Sequence, residues 1–399
     1  VSRPPVVVTG LGAVCGLGAG IDAAWRAALA GRHAIRPLTL FATASHRTTL
    51  AAAVPDDAAL VTGRGLSRAE RFACTAAAEA VRSLPAASLR SARAGVFFGS
   101  STGALFESER FLAELLQHHE GDLTPLAAQQ NDGPGTAVAR HLGVRGPVAT
   151  WSTACTSANI AIGAALDALQ SGEVDVAIAG GADELCETTY AGFNSLRAVD
   201  AQPTRPFRRS RAGLSLGEGA GVLLLETLAH AQRRGAVVLC ELVGAGRSCD
   251  AHHVSAPDPD GTGAAQAMRT ALHEAGLAAG AVTFVNAHGT GTPHNDSAES
   301  KALHAVFGAR AASLPITSSK SLVGHLLGAA GGIEAVFTAL SIVHRLLPPV
   351  AGDEPADPEL GLDVVIGAPR ALPVHNVGLS TNLAFGGNNA VVVLRSHRP

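Results

Sequence analysis

Short apolar runs bounded by glycine alternate with alanine-rich stretches of helical length, and no other feature limits the fold of this chain so tightly. Val6–Gly10, Gly95–Gly99, Asp175–Gly180, Gly221–Leu225 and Val237–Val243 read as strands. Ile21–Ala30, Arg68–Ser83 and Thr156–Ser171 read as helices between them. Continuously apolar strands are buried on both faces, so the pattern predicts an α/β protein with helices on each side of its sheets. Of all residues 47% are hydrophobic but only 4% aromatic. Ala, Val, Leu and Gly must therefore fill the core, which suits helices packed closely on sheets.

At 399 residues the chain is long enough for two or three units. The theme recurs more weakly in the second half: a helix near Gly263–Ala275, a strand at Val282–Ala287 and a helix at Ser297–Phe307. A long helix at Leu326–Arg345 and strands at Val377–Leu379 and Asn389–Arg395 follow. No residue-level repeat relates the halves. Pro348–Pro358, rich in Pro, Asp and Gly, reads as a surface loop.

A formal charge of −3 leaves no basic footprint for nucleic acid. No apolar run reaches the ~18 residues that a membrane-spanning helix needs. Pro4–Gly20 is apolar like a signal peptide, but glycines break it and only Arg3 precedes it, so a buried strand and turn fit better. The cysteines at 15, 74, 155, 186, 240 and 249 form no CxxC pair and no zinc spacing, which points to a reducing compartment, the cytoplasm. The glycines of Gly10–Gly18 follow a strand, yet the G-x-G-x-x-G spacing fails at Cys15 and no suitable acidic residue follows a second strand. A nicotinamide dinucleotide is thereby excluded.

Chemistry concentrates in three small-residue frames: Cys155 in S-T-A-C-T-S-A, His288 in N-A-H-G-T-G-T, and Lys320 with His325 in S-S-K-S-L-V-G-H-L-L-G-A-A-G-G. A helix beginning at or just after Cys155 would place positive dipole and free N–H groups beside the sulfur, favouring thiolate. His288 follows an apolar strand and opens a glycine turn, where an α/β sheet exposes functional groups. Lys320 is one of only two lysines in the chain.

These frames resemble the β-ketoacyl-acyl carrier protein synthases, elongating condensing enzymes of the thiolase superfamily. The resemblance runs from V-V-V-T-G-L-G at Val6–Gly12 to A-F-G-G-N-N-A at Ala384–Ala390. It implies a thiolase-like fold, two similar halves (1–245 with the nucleophile, 246–399 with the histidines and lysine) in a five-layered α-β-α-β-α core. It also implies decarboxylative Claisen condensation of an acyl group on Cys155 with malonyl-acyl carrier protein. His288 and His325 would bind the malonyl thioester carbonyl, and Lys320, held by Glu334, would orient the site. Thr290 and Thr292 would bond the phosphopantetheine arm. The Phe385 N–H and the Cys155 N–H would form the oxyanion hole, with the Phe385 ring as gate. No metal or bound cofactor is implied. The partners would be acyl carrier protein and a second ketosynthase-like subunit, identical or a chain-length factor, with Gly99–Phe111 and Gly121–Gly133 near the shared interface.

Several positions depart from the family pattern. Ala384, Leu383 and Asn388 replace Gly, Phe and Thr around the gate; Ala resists positive φ, which would alter gate motion. Arg208 and Ala212 stand where Asp is usual, which changes the local salt bridges. A non-catalytic chain-length factor would lack the cysteine, a thiolase needs a later second cysteine, and Cys-His-Asn initiating synthases carry Asn where His325 stands. C-E-T-T-Y-A-G-F-N-S-L at Cys186–Leu196 and G-L-S-L-G-E at Gly213–Glu218 look like ketosynthases of aryl-polyene and highly reducing type II polyketide systems, with fatty acid synthesis as the alternative.

Overall fold

The computed structural model describes residues 3–90, 93–119, 121–124, 126 and 129–398. Its main strands are β1 (Val6–Cys15), β2 (Ala94–Gly99), β3 (Val148–Trp151), β4 (Val176–Asp183), β5 (Gly219–Thr227) and β6 (Cys240–Cys249). The second half adds β7 (Phe284–Asn286), β8 (Pro315–Thr317), β9 (Asp363–Val364), β10 (Val377–Leu383) and β11 (Asn388–Arg395). The helices that matter below are α1 (Ile21–Leu29), α2 (Arg68–Ala80), α3 (Leu105–His118), α4 (Gly133–Leu142) and α5 (Ser157–Gln170). To these the chain adds α6 (Glu187–Ser195), α7 (Thr262–Glu274), α8 (Pro293–Phe307) and α9 (Ala330–His344).

The main strands join in the order β9-β8-β7-β10-β11-β6-β1-β5-β4-β2-β3, with Gly18–Ala19 paired to β1. The halves meet where Val6, Val7 and Val8 of β1 pair antiparallel with Leu242, Glu241 and Cys240 of β6. Residue 245 falls within β6, which pairs along most of its length with β11. Helices α5 and α9 lie between the two half-sheets: α5 packs on β2 and β4 and on β6 and β11, α9 on β5 and β10. One apolar cluster fills this centre, a second joins α2 and α4 to the first half-sheet, and a third joins α7 and α8 to the second. The result is the five-layered thiolase-like α/β architecture.

Glycine explains why the central helices come so close. A Cβ on Gly99 of β2 would lie 2.3 Å from the Ala158 backbone nitrogen of α5, and one on Gly221 of β5 would lie 2.2 Å from that of Ile333 in α9. β4 and β10 run past the glycines or polar residues where the sequence signal stops, to Asp183 and Leu383, because β5 and β11 pair with them to those ends. The predicted helix Leu326–Arg345 is instead a 3-10 turn, Leu327–Ala329, followed by α9. Leu327 has φ 53°, which breaks the first turn. The segment Leu327–His344 is apolar and long enough to pass for a membrane span, but 89% of it is buried inside the fold. Helix α8 starts earlier than predicted: Thr292 caps it through Asn295 N–H and Pro293 follows at the first turn. In the Pro348–Pro358 loop, Pro348–Ala351 is buried rather than at the surface, because Arg208 enters beneath it.

Candidate active site

Cys155 stands on a tight turn between β3 and α5. Ala154 before it takes φ 52°, a left-handed value disfavoured for a residue with a Cβ. Side chains hold that turn: the Ala154 carbonyl accepts from Ser157 Oγ (2.6 Å) and Ser101 Oγ (3.1 Å), and Ser157 Oγ accepts from Thr153 N–H (2.9 Å). Thr156 is the N-cap and the helix begins at Ser157, so the sulfur lies just ahead of the helix end, as expected. The backbone N–H groups of Phe385 and of Cys155 itself act to lower the thiol, and the Nε2 of His325 lies 2.9 Å from Sγ. Burial nonetheless dominates. It pushes the thiol up to about 11, against the opposing pull of Lys320 and the two backbone donors. The expected lowering by the helix end does not prevail, because a fully buried sulfur loses more hydration than these groups return.

His325 is equally constrained. Its Nδ1 accepts the Leu327 N–H at 3.1 Å, which the left-handed Leu327 makes possible. A neutral imidazole with Nδ1 as acceptor carries its proton on Nε2, so His325 points a donor at the sulfur. His288 meets it edge-on, ring centroids 5.4 Å apart at 87°. Burial first, then the positive charge of Lys320, holds both histidines well below their ordinary range. Both rings are therefore neutral hydrogen-bond donors at neutral pH.

Beneath them lies a buried charge pair. Lys320 and Glu334 are each 1% exposed and in direct contact. Burial raises the Glu334 carboxyl and Lys320 opposes that rise. Glu334 Oε2 also accepts from Asn382 Nδ2 at 2.8 Å, and the same amide nitrogen lies 3.4 Å from His288 Nδ1. Glu299 of α8 takes the backbone N–H groups of His288 and Gly289, each at 2.8 Å, fixing that loop. Asp183 at the end of β4 binds Ser100 Oγ (2.7 Å), Ser101 N–H (2.9 Å), Thr102 N–H (2.9 Å) and Gly328 N–H (2.6 Å), tying the cysteine side to the turn after His325. Sequence reasoning missed Asn382, Glu299 and Asp183. Asn382 sits three residues ahead of Phe385, so its place beside the gate motif was the available signal; the acids carry none.

A cavity of about 430 Å³ leads to these groups, lined by Cys155, His288, His325, Thr290, Thr292 and Phe385 among others. The two threonine hydroxyls lie 3.0 Å apart. The Phe385 ring stacks on Phe193 of α6, centroids 5.5 Å apart and planes at 20°. Ala384 sits at φ −130°, extended backbone that any residue adopts. The expected strain at this position is absent because the left-handed residues are Gly386 and Gly387. Around Arg208, its guanidinium donates to the Gly352 carbonyl (3.1 Å), while Arg211 pairs with Asp357 (2.6 Å).

Ligand atoms of Cys155, His288 and His325 all lie within 4.8 Å of one another, a spacing a soft cation also accepts. With the neutral His325 donor 2.9 Å from the sulfur and the His288 ring beside it, the arrangement suits an acyl thioester better. Residues 3–231 match the β-ketoacyl synthase N-terminal domain, and residues 239–353 match the C-terminal domain. The chain belongs to the β-ketoacyl synthase family. It is 37% identical to a 3-oxoacyl-[acyl-carrier-protein] synthase 2 of Synechocystis sp. and 36% identical to one of Staphylococcus aureus, over 98% of both chains in each case. Among solved structures it is similar to the ishigamide ketosynthase/chain length factor (TM-score 0.94, 34% identity, 100% of both chains). It is also similar to a β-ketoacyl synthase from Burkholderia phymatum (TM-score 0.90, 34% identity, 99% of this chain and 100% of the other). A ketosynthase in complex with its chain length factor from Xenorhabdus doucetiae matches at TM-score 0.85 and 29% identity, over 99% and 98%.

Proposed function

We propose that this β-ketoacyl synthase loads an acyl chain from acyl carrier protein onto Cys155 and extends it by decarboxylative condensation with malonyl-acyl carrier protein. The observation that carries this reading is the meeting of the buried Cys155 Sγ, His325 Nε2 at 2.9 Å and the edge-on His288 ring in one cavity. In the first step Sγ attacks the acyl thioester carbon, the carbonyl oxygen takes the two backbone N–H groups, and the pantetheine thiol leaves with the cysteine proton. His325 is not the base for that proton, since Nδ1 is occupied and Nε2 already carries hydrogen. In the second step the malonyl carboxylate leaves as CO2, and the C–C bonding pair becomes the thioester enolate. Hydrogen bonds from the buried His288 and His325 to the enolate oxygen stabilise it. The enolate carbon attacks the acyl-Cys155 carbonyl, the C–S bond breaks, and the β-ketoacyl carrier leaves while the thiolate takes a proton from solvent.

Lys320 and Glu334 hold the field beneath the histidines, and Thr290 and Thr292 line the approach for a pantetheine arm. No metal or bound cofactor enters these steps. A chain-length factor identity is disfavoured, because Cys155, His288 and His325 are all present and assembled. The protein's partners on this reading are acyl carrier protein and a second ketosynthase-like subunit. Helix α3 supports the second of these, since Leu112 and Leu116 stand 52% and 71% exposed. In the Gly121–Gly133 stretch, residues 125, 127 and 128 lie outside the described residues. Six free cysteines, five of them buried, fit the cytoplasmic setting. The α6 and Gly213–Glu218 sequences favour a polyene-type polyketide pathway over fatty acid synthesis.

Incubation with acyl-acyl carrier protein tests the reading: the acyl mass should appear on a peptide containing Cys155. Adduct on another cysteine, or turnover without adduct on Cys155, would overturn it.

A further inference from the structure

Asn382 bridges two groups that the reaction needs. Its Nδ2 lies 2.8 Å from Glu334 Oε2 and 3.4 Å from His288 Nδ1, and the side chain is buried at 1% exposure. The orientation of the amide follows from chemistry. Glu334 already faces Lys320 with Oε1 and presents Oε2 as an acceptor, so the NH2 end must face it; the reversed amide would set oxygen against oxygen. Asn382 Oδ1 has no partner and lies 2.8 Å from where a Cβ on Gly331 would stand, so it is turned towards α9 and away from the histidine. An NH2 group has two hydrogens, one for Glu334 and one for His288.

We propose that Asn382 is a positioning residue that holds His288 with Nδ1 as acceptor and Nε2 protonated, and links that histidine to the Lys320–Glu334 pair. The inference rests on the ketosynthase reading and deepens it. His325 has its tautomer set by the Leu327 backbone N–H. Among the described residues no backbone donor does this for His288, whose own N–H goes to Glu299 and Thr381. Asn382 supplies the missing donor, so both imidazoles present Nε2–H to the malonyl carbonyl oxygen. Without it, neutral His288 exchanges between tautomers, and one of them turns a lone pair on the developing negative charge.

The test separates loading from decarboxylation. Asn382→Asp keeps the shape but offers His288 Nδ1 an acceptor in place of a donor. Acyl loading of Cys155 should stay within about twofold, while malonyl-acyl carrier protein decarboxylation near pH 8 should fall about a hundredfold, the scale of one lost enolate donor. Activity should return as pH falls, since an imidazolium beside a carboxylate again carries a proton on Nε2; wild type should be nearly flat over that range. Asn382→Ala, which leaves Nδ1 without a partner, should lose less, because part of the neutral His288 population keeps Nε2–H, and it should likewise regain activity as pH falls, because an unpartnered Nδ1 takes up a proton more readily and the imidazolium carries Nε2–H. It decides the matter if the Asp variant fails to fold. Loading and decarboxylation falling together with unchanged pH profiles would make Asn382 merely structural and overturn the proposal, as would wild-type decarboxylation in both variants. Failure of wild type to load Cys155 at all would instead overturn the ketosynthase reading.

Discussion

The two sides of the site are built in opposite ways. Around Cys155 the working groups are backbone N–H donors, held by a strained Ala154 turn and by the Phe385 loop. Around the histidines they are side chains, held by a buried network of Lys320, Glu334, Asn382 and Glu299. Backbone donors survive most substitutions, whereas a network of buried polar groups loses a partner with each one. Acyl loading should therefore tolerate change that condensation does not.

Removing Lys320 should have the largest effect. Lys320→Ala leaves Glu334 buried without its cation, a loss of about 3–5 kcal/mol for a broken buried pair, read by chemical denaturation. Condensation should disappear with it; a stability change below about 1 kcal/mol would mean that the pair behaves like a surface contact and the contrast is false. Next comes His325→Ala, which should cut decarboxylation by about 10²–10³ as an oxyanion donor does, while Cys155 still acquires an acyl group from its carrier. Equal loss of both steps would show that His325 serves the sulfur as much as the malonyl unit. The sulfur side is tested by pH. With its thiol raised to about 11, Cys155 should react with iodoacetamide faster at each step through the alkaline range. A plateau near neutral pH would mean that the converging donors outweigh burial. Ala384→Gly should do least. Because Ala384 is extended, glycine relieves no strain there and only adds freedom, about 0.5–1 kcal/mol of loop stability, with the chain-length profile of acylation unchanged. Phe385→Ala should alter that profile, since it removes the ring stacked on Phe193 while keeping the N–H.

The site was readable wherever chemistry sits inside a short motif. Cys155, His288, Lys320, His325 and Phe385 all occur in such frames; Cys155, His288, His325 and Phe385 line one cavity, and Lys320 lies buried against Glu334, which the family resemblance supplied. Asp183 and Glu299 act through partners elsewhere in the chain, such as Asp183 with Gly328, and no local pattern marks them; Asn382 had only its place beside the gate motif. The gate shows the reverse error: Ala384 looked strained beside its glycines, yet its φ is set by the extended chain leaving β10, and the turn falls two residues later.

Alternating apolar runs and alanine-rich helices were enough to establish an α/β fold with sheets covered on both faces, because burial leaves a periodic trace in the chain. Protonation was decided only by the assembled molecule. The raised Cys155 thiol, the depressed histidines and the tautomer of His325 depend on desolvation and on donors from other segments. Those quantities follow the distances between groups in space, which the order of residues along the chain does not contain.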